Sequence, residues 1–326
     1  MGVIWRKVWR DLADNRTRTF LGVLSTAVGV LALGLVLSLS GIMRSRMTED
    51  YMASVPSHIV FGGTQFTDEA IDAVRRERGV ADIEGEALIP IRWKPEGAAD
   101  WLDGTVTSRP SLDAQPMDRV DLMAGQWPGE RMLAVERQSA SYYGIALQGA
   151  VLVEVGRRAQ RLPVSGLVRS PTVFPPLFGG SATFYATPET VEWLSGFQGW
   201  NQLHVRLDAF SQESAEEVAG RIRRRLDRMN SPATGYQIIE PGEHFMQSLV
   251  DSVFLTLSVL GVLALGLSGF LTLNTLNAIV AQQVWQVGVM KVIGATSWRV
   301  LRIYLLVALL YGSLASLVAV PLAALA

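Results

Sequence analysis

Residues 19–43 read TFLGVLSTAVGVLALGLVLSLSGIM, and no charged side chain interrupts these 25 positions. Two further charge-free apolar runs follow, at residues 252–290 and 303–326. A bilayer core is about 30 Å thick and a helix rises about 1.5 Å per residue, so a spanning helix needs roughly 20 apolar residues. Each run is long enough, and the sequence therefore predicts three transmembrane helices.

The 208 residues from Arg44 to Asp251 have the composition of an ordinary water-exposed domain. Thr67 and Thr187 each precede a segment with an acidic first turn, which is typical of a helix start. Ser214 and Glu217 have the spacing of a capping box in a later helix. Strand-like segments are expected at residues 57–61, 88–93, 151–155, 161–168, 182–185, 202–207 and 236–239. The predicted fold class is therefore a membrane α-helical protein with an extracytoplasmic α+β domain.

Basic residues concentrate in two short segments. Residues 1–18 and 282–302 together carry eight of the 29 basic residues but only two of the 30 acidic ones. Short loops rich in Lys and Arg stay in the cytoplasm. This distribution predicts that both segments are cytoplasmic and that the large domain lies outside the cytoplasm. Because the first apolar run exceeds the roughly 7–15 residues of a signal-peptide core, a retained anchor is favoured over a cleaved leader.

These patterns divide the chain into six segments. Trp5 and Trp9 beside basic residues in the first segment favour an interfacial amphipathic helix, and the alternative is that the segment extends the first membrane helix. The predicted segments are a cytoplasmic amphipathic helix at 1–18, transmembrane helix 1 at 19–43, the extracytoplasmic α+β domain at 44–250, transmembrane helix 2 at 251–280, a cytoplasmic helix at 281–298, and transmembrane helix 3 at 299–326.

Residue types that carry chemistry are sparse. The chain has no cysteine, which excludes disulfides and thiolate chemistry. It has no GxxxxGK[ST] loop, so any nucleotide must bind another chain. His58, His204 and His244 are far apart and lack metal-ligand spacing, and we interpret each as a surface or strand histidine. The sequence predicts no catalytic residue, no metal site and no nucleic-acid partner.

A proline-rich apolar loop stands out within the large domain. Residues 170–180 read SPTVFPPLFGG. Phe174, Leu177 and Phe178 are candidates for a partner or substrate surface, because exposed apolar patches commonly mark such sites. Packing of the loop into the domain core is the alternative interpretation.

The segment between the second and third apolar runs resembles a known family. Residues 286–296 read QVGVMKVIGAT and follow Asn274-Thr275. This resembles the cytoplasmic coupling region of FtsX-like/MacB-like ABC-transporter permeases, whose pattern is roughly E-I-G-x-x-K-A-[LI]-G-A-[ST]. Gly288, Lys291 and Gly294 match, as do the Ala and Thr that follow. Gln286 replaces the acidic residue of the family, and Trp285 replaces the arginine before it.

The large domain is also similar to the periplasmic core domain of these permeases. Gly125-Gln126-Trp127-Pro128 and the segment 144–149, GIALQG, resemble its l-x-G-r-x-P … G-l-x-x-G-d signature, with Ala150 in place of the acid. Members normally have a fourth membrane helix, and this sequence ends at the third. The resemblance therefore implies a fragment or one half of a split permease.

The resemblance implies a permease subunit of an ABC transporter in the bacterial plasma (inner) membrane. A separate ATP-binding subunit would bind ATP and Mg, dock on the coupling segment and drive the outer domain by mechanotransmission, so no cofactor is expected in this chain. Substrates would be lipid-linked, peptide or drug-like molecules. Further partners implied are a second permease copy or homologous half, membrane lipid and a periplasmic adaptor. The implied coupling residues are Trp285, Gln286, Val287, Gly288, Val289, Met290, Lys291 and Gly294.

Two other functions fit the same layout. One is an FtsX-type regulator of a cell-wall hydrolase. The other is a membrane sensor or receptor with an extracytoplasmic ligand domain, although sensors usually carry a long cytoplasmic domain after the second helix. A membrane-anchored hydrolase is disfavoured because no catalytic spacing is present.

Overall fold

The computed structural model describes residues 16–156, 158–242, 246–294 and 296–325. Most of the predicted N-terminal amphipathic helix therefore lies outside the described residues. The chain forms two compact units, Met1–Ser45 with Gln247–Ala326, and Arg46–Met246. We call the first the membrane unit and the second the outer domain.

The described residues form eight α-helices and ten strands. The helices are α1 Arg16–Ala53, α2 Asp68–Arg75, α3 Arg137–Tyr143, α4 Pro188–Ser195, α5 Gln212–Arg228, α6 Gln247–Gln282, α7 Val284–Val292 and α8 Ser297–Leu325. The strands are β1 Ile59–Phe66, β2 Val80–Pro95, β3 Leu102–Ser108, β4 Asp121–Gly125, β5 Leu133–Glu136, β6 Ala150–Val155, β7 Arg158–Arg169, β8 Ala182–Ala186, β9 Trp200–Leu207 and β10 Ala233–Ile238.

Three of the described helices are long and apolar enough to cross a membrane. The candidate spans are Thr19–Ala53, Gln247–Gln282 and Val300–Leu325. The fold class is thus confirmed: three long apolar helices accompany a mixed α+β domain. Helix α1 continues past the end of its apolar run, because the charged residues that follow lie on its exposed surface and form ion pairs. One is the 2.9 Å pair between Arg44 and Asp251 at the start of α6.

Small residues allow close packing between α1 and its two long neighbours in the membrane unit. A Cβ atom on Gly29 would lie 2.9 Å from Ser268 Oγ and 3.1 Å from the Cα atom of Leu265 on α6. Thr26 and Thr272 share a hydrogen bond of 3.1 Å between the same two helices. On α8, the buried Tyr311 hydroxyl lies 3.2 Å from Thr19 Oγ1. Backbone approach and hydrogen bonds of this kind hold helices together in lipid, where apolar burial contributes little.

All ten described strands of the outer domain belong to one mixed sheet. The order is β10-β1-β9-β2-β3-β8-β5-β7-β4, with β6 pairing to β2 and β7. Strand β2 joins two halves, because its residues 80–86 pair with β9 while 87–93 pair with β3. The two halves of the sheet accordingly belong to one compact unit.

Apolar side chains fill both halves of the outer domain. Helices α2 and α5 lie beside the β1, β9 and β10 half and bury Ile71, Val74 and Ile222 against it. In the other half, the fully buried Trp93 ring lies edge-on to Tyr143 and Phe184, at centroid distances of 5.1 and 5.0 Å. Such edge-to-face pairs add to the stability that burial provides.

Local signals predicted several elements of the outer domain correctly. Thr67 caps α2 by accepting a hydrogen bond from Ala70 N, and Thr187 caps α4 in the same way from Thr190 N. The expected capping box of α5 was wrong. The expected pair was Ser214 and Glu217. In the structure Ser211 is the cap, and it forms the capping box with Ser214. All seven expected strand segments overlap observed strands, whereas β3, β4, β5 and α3 were not predicted.

Candidate functional site

The coupling segment forms a short helix between two membrane helices. Helix α7 begins directly after α6, where the Gln283 amide donates to the carbonyls of Ile279 and Val280. It ends at Val292, and two residues later the Gly294 amide donates to the Lys291 carbonyl at 3.0 Å. Gly294 has φ +99°, a conformation that glycine adopts without strain. A sharp stop here lets α8 start at Ser297.

Helix α7 presents apolar side chains that contact little of the described protein. Trp285 is 80% exposed, Val292 88% and the following Ile293 81%. Val289 is partly exposed, and Gly288 has open space around its Cβ position. The structure also places the backbone of Gln286, Val287, Met290 and Lys291 on this helix. Their role in coupling remains a prediction.

The proline-rich loop also turns apolar side chains outward. Pro176–Phe178 forms one 3₁₀ turn, closed by hydrogen bonds from the amides of Phe178 and Gly180 to the Pro175 carbonyl. Leu177 is 72% exposed, and Phe174 and Phe178 are also exposed, so these three side chains are not in the core. Their role as a partner or substrate surface stays a prediction.

Five ionisable side chains lie together inside the outer domain: Glu84 and Glu86 on β2, Arg109 after β3, Asp118 in the following loop, and His204 on β9. We call them the polar cluster. Arg109 Nη1 lies 3.4 Å from Glu84 Oε2, and Nη2 lies 3.0 Å from Glu86 Oε2. His204 bridges Glu86 and Asp118, with Nε2 3.0 Å from Glu86 Oε2 and Nδ1 2.7 Å from Asp118 Oδ2. The cluster sits where β2 passes from one half of the sheet to the other.

Backbone groups complete the polar cluster. Arg109 Nη1 donates to the carbonyls of Met117 and Asp118, at 3.0 and 3.1 Å. Asp118 Oδ1 accepts a 3.0 Å hydrogen bond from the amide of Ser57. The cluster therefore connects the two sheet halves, the 109–120 loop and the segment that precedes β1.

Burial and charge set the protonation of these groups. Burial disfavours charge on His204, but Glu86 and Asp118 outweigh it and raise the His204 pKa to about 9. Burial likewise opposes ionisation of Asp118, yet the hydrogen bond and charge of His204, with Arg109, lower its pKa to about 2. For Glu84, burial dominates the attraction of Arg109 and His204 and raises the pKa to about 7. At neutral pH, His204 and Asp118 are thus an ion pair.

The polar cluster is a network of paired charges rather than an open ligand site, although two of its buried nitrogens, Arg109 Nε and His204 Nε2, make no hydrogen bond. Its carboxylates already face a guanidinium and an imidazolium. Within the described part of the chain, no group of three or more His, Asp or Glu residues is arranged to hold a metal ion. His58 lies apart, with its Nδ1 accepting from the Leu207 amide at 3.1 Å, and His244 lies outside the described residues.

Sequence reasoning missed the polar cluster. The interpretation of His204 as a strand residue is correct, but it is not a surface residue, since its side chain is only 13% exposed. Glu84 and Glu86 share a strand face because they are two positions apart, which is a usable signal. Nothing local indicates that Arg109, Asp118 and His204 meet them.

Comparisons with known proteins place the C-terminal part of the chain. Residues 258–326 match the family described as FtsX-like permease C-terminal. No curated protein sequence matches the chain. Among solved structures, the extracellular domain of the noncanonic ABC-type transporter YknZ from Gram-positive bacteria is similar, at 15% identity, TM-score 0.40, and coverage of 56% of this chain and 100% of that one. The periplasmic region of MacB from Actinobacillus actinomycetemcomitans is similar at 10% identity and TM-score 0.39, covering 61% and 92%.

Proposed function

We propose that this chain, whose residues 258–326 match the FtsX-like permease C-terminal family, is a permease subunit of an ABC transporter and works by mechanotransmission. In this proposal a separate ATP-binding subunit docks on α7 from the cytoplasm. Closure of that subunit around ATP and Mg moves α7 and the membrane helices, and they move the outer domain. The resemblance of the coupling segment to this family is confirmed.

The exposed apolar surface of α7 is the observation that carries this proposal. Trp285 and Val292 on this nine-residue helix, and Ile293 directly after it, are each at least four-fifths exposed. Apolar area costs roughly 25 cal/mol per Å² when left in water, so a partner surface covering this helix is favoured. Aromatic anchors such as Trp285 are the side chains that usually dominate binding energy at interfaces.

The charge distribution supports a cytoplasmic position for α7 and an extracytoplasmic outer domain. Residues 282–302 carry three basic side chains and no acid. Because such loops remain in the cytoplasm, α6 would cross the membrane from the outer side to the cytoplasm, and α8 would cross back to the outer side. We place the protein in the bacterial inner membrane on this basis.

The outer domain is the element that would act on the substrate. We propose export or release of a lipid-linked, peptide or drug-like molecule, with the exposed loop side chains Phe174, Leu177 and Phe178 offering apolar contacts. A second permease copy or homologous half would complete the membrane assembly. A periplasmic adaptor and membrane lipid are the further proposed partners.

A charge on α7 tests the proposal. We expect Val289→Glu to reduce recovery of the ATP-binding subunit with the full chain, and to reduce its stimulated ATPase activity, because a carboxylate cannot be buried in an apolar interface without cost. Met132→Glu is the control, since it places the same charge on an apolar side chain of similar exposure, 41% against 39%, in the outer domain. Equal recovery and equal ATPase activity at matched membrane levels would contradict the proposal.

A further inference from the structure

The outer end of α1 is held by one loop of the outer domain. Helix α1 ends at Ala53, and residues 54–57 lead directly into β1. The Asp118 amide donates to the Val55 carbonyl at 3.0 Å, and the Arg119 amide donates to the Ser54 carbonyl at 2.8 Å. Two consecutive residues of the 109–120 loop thus form backbone hydrogen bonds with two consecutive residues that follow the helix.

The backbone on both sides of these two hydrogen bonds lies in the left-handed region. Val55 has φ +57° and Asp118 has φ +46°. A β-branched residue such as Val rarely adopts the left-handed region, because its branched side chain crowds the backbone there. Such conformations persist only where the surroundings over-determine them, and they concentrate at sites that function by moving or switching.

The polar cluster supplies the restraint. One carboxylate, that of Asp118, accepts from the Ser57 amide and lies 2.7 Å from His204 Nδ1. Arg109 fixes the Asp118 carbonyl from the other side at 3.1 Å. The segment after α1 is therefore connected through Asp118 to β9 and through Arg109 to β2, the strand that runs through both sheet halves.

An apolar contact could hold the segment without these charges. Buried ion pairs seldom add stability over well-packed apolar groups, because desolvation opposes the attraction between the charges. What hydrogen-bonded charges add is direction, since the donors and acceptors must keep one geometry. A joint that transmits displacement needs fixed geometry more than it needs stability.

We propose that the polar cluster is the mechanical joint of this permease, with Asp118 as the positioning residue through which the end of α1 moves the outer domain. This inference rests on the proposed function, because it names the path of the motion that the ATP-binding subunit would start. Asp118 contacts no substrate in this role and acts through Ser57, Val55 and His204.

The experiment measures motion in the full chain, reconstituted with the ATP-binding subunit recovered with it from membranes. Spin labels at Leu39→Cys on α1 and Arg223→Cys on α5 report one distance, since the natural chain has no other cysteine. Asp118→Asn keeps the shape of the side chain and removes its charge. Val55→Gly gives the backbone at this position more conformational freedom and so loosens the fixed geometry of the joint. Glycine also adopts a positive φ without strain, so this second variant folds even if the first does not. Glu96→Gln is the control, because it breaks the exposed ion pair with Arg161 elsewhere in the outer domain.

We expect the wild type and Glu96→Gln to change the labelled distance when ATP replaces ADP. Asp118→Asn and Val55→Gly should lose that change while the ATP-binding subunit still binds. If both variants move like the wild type, or Val55→Gly does so where Asp118→Asn fails to fold, the joint is overturned while the proposed function stands. If the labelled distance in the wild type does not change with nucleotide, both the proposed function and the joint are overturned. This outcome therefore distinguishes failure of the proposed function from failure of the joint alone.

Discussion

The Nδ1 atom of His204 lies 2.7 Å from Oδ2 of Asp118, across 86 positions of sequence. His204 is on a central strand and Asp118 is in a loop, so the contact fixes that loop against the sheet. The pair is charged at neutral pH because each partner shifts the pKa of the other toward its ionised form. The same carboxylate also accepts a hydrogen bond from the Ser57 amide, in the segment between α1 and β1.

The outer domain should fold without the membrane helices. Residues 46–246 form a compact unit whose apolar core lies entirely between its own strands and helices. We expect residues 46–246, expressed alone, to unfold in one cooperative transition in urea, followed by circular dichroism and by Trp fluorescence. Gradual loss of signal, or transitions that do not coincide, would show that the membrane unit is needed for folding.

The outer domain should lose stability as pH rises from about 5 to about 9. The folded-state pKa of Glu84, about 7, lies above its ordinary 4.5, so folding favours neutral Glu84 and this contribution is lost as pH rises through 7. The His204 pKa of about 9 lies above its ordinary 6.5, so its contribution is complete below 6.5 and is lost as pH rises through 9. The midpoints of thermal unfolding of the outer domain, measured across this pH range, report the sum of the two contributions.

Glu84→Gln separates the two contributions. It removes the titration of Glu84 but leaves the groups that face it, which are Arg109, His204, Glu86, Asp118 and, across Arg109, Tyr185. We expect the pH slope between about 4.5 and about 7 to flatten in this variant, while the slope above 7 remains. The exposed-site variant Glu96→Gln should keep the wild-type slope in that interval. An unchanged Glu84→Gln profile would contradict the assigned protonation.

Local physics explains which parts of the fold were predictable. Thr67 and Thr187 are caps because a hydroxyl beside an acidic first turn satisfies free amides, and that pattern is contiguous in sequence. The apolar runs are equally local, and they predicted three long helices. The cap of α5 was misplaced because Ser211 and Ser214 both carry a hydroxyl suited to a cap, and in the structure Ser211 accepts from the Ser214 amide.

The polar cluster could not be predicted, because its contacts depend on strand order. Glu84 meets Arg109 only since β2 pairs with β3, and it meets His204 only since β2 pairs with β9. A Glu on a strand with alternating character is ordinarily a solvent-facing residue. The cluster of buried charged residues can therefore be recognised only once the strands that pair with β2 on both sides are known.

Close packing of α1 and α6 should be sensitive to side-chain size at Gly29. A Cβ atom there would lie 2.9 Å from Ser268 Oγ, so a large side chain must separate the helices. We expect Gly29→Leu to destabilise the full chain in detergent by about 1–3 kcal/mol, the usual range for overpacking. The temperature at which the monodisperse peak is lost in size-exclusion chromatography compares the stability of each variant with that of the wild type. Gly266→Leu is the control, because its Cβ position has nothing within 4 Å, and similar losses for the two variants would contradict the packing argument.

The proposed membrane orientation places α5 outside the cell membrane and the start of α8 inside it. Single cysteines at Glu216 and Ser297 report the two sides, because both positions are exposed and the chain otherwise lacks cysteine. Glu216 is preferable to Ser211, whose hydroxyl caps α5. With a membrane-impermeant maleimide on cells whose outer barrier is permeable, we expect Glu216→Cys to label at once and Ser297→Cys to label only after lysis. Ala215→Cys, fully buried one position before Glu216, should resist labelling in both conditions and so exclude labelling of unfolded protein. Labelling of Ser297→Cys in intact cells would reverse the orientation and remove α7 from the reach of any cytoplasmic ATP-binding subunit.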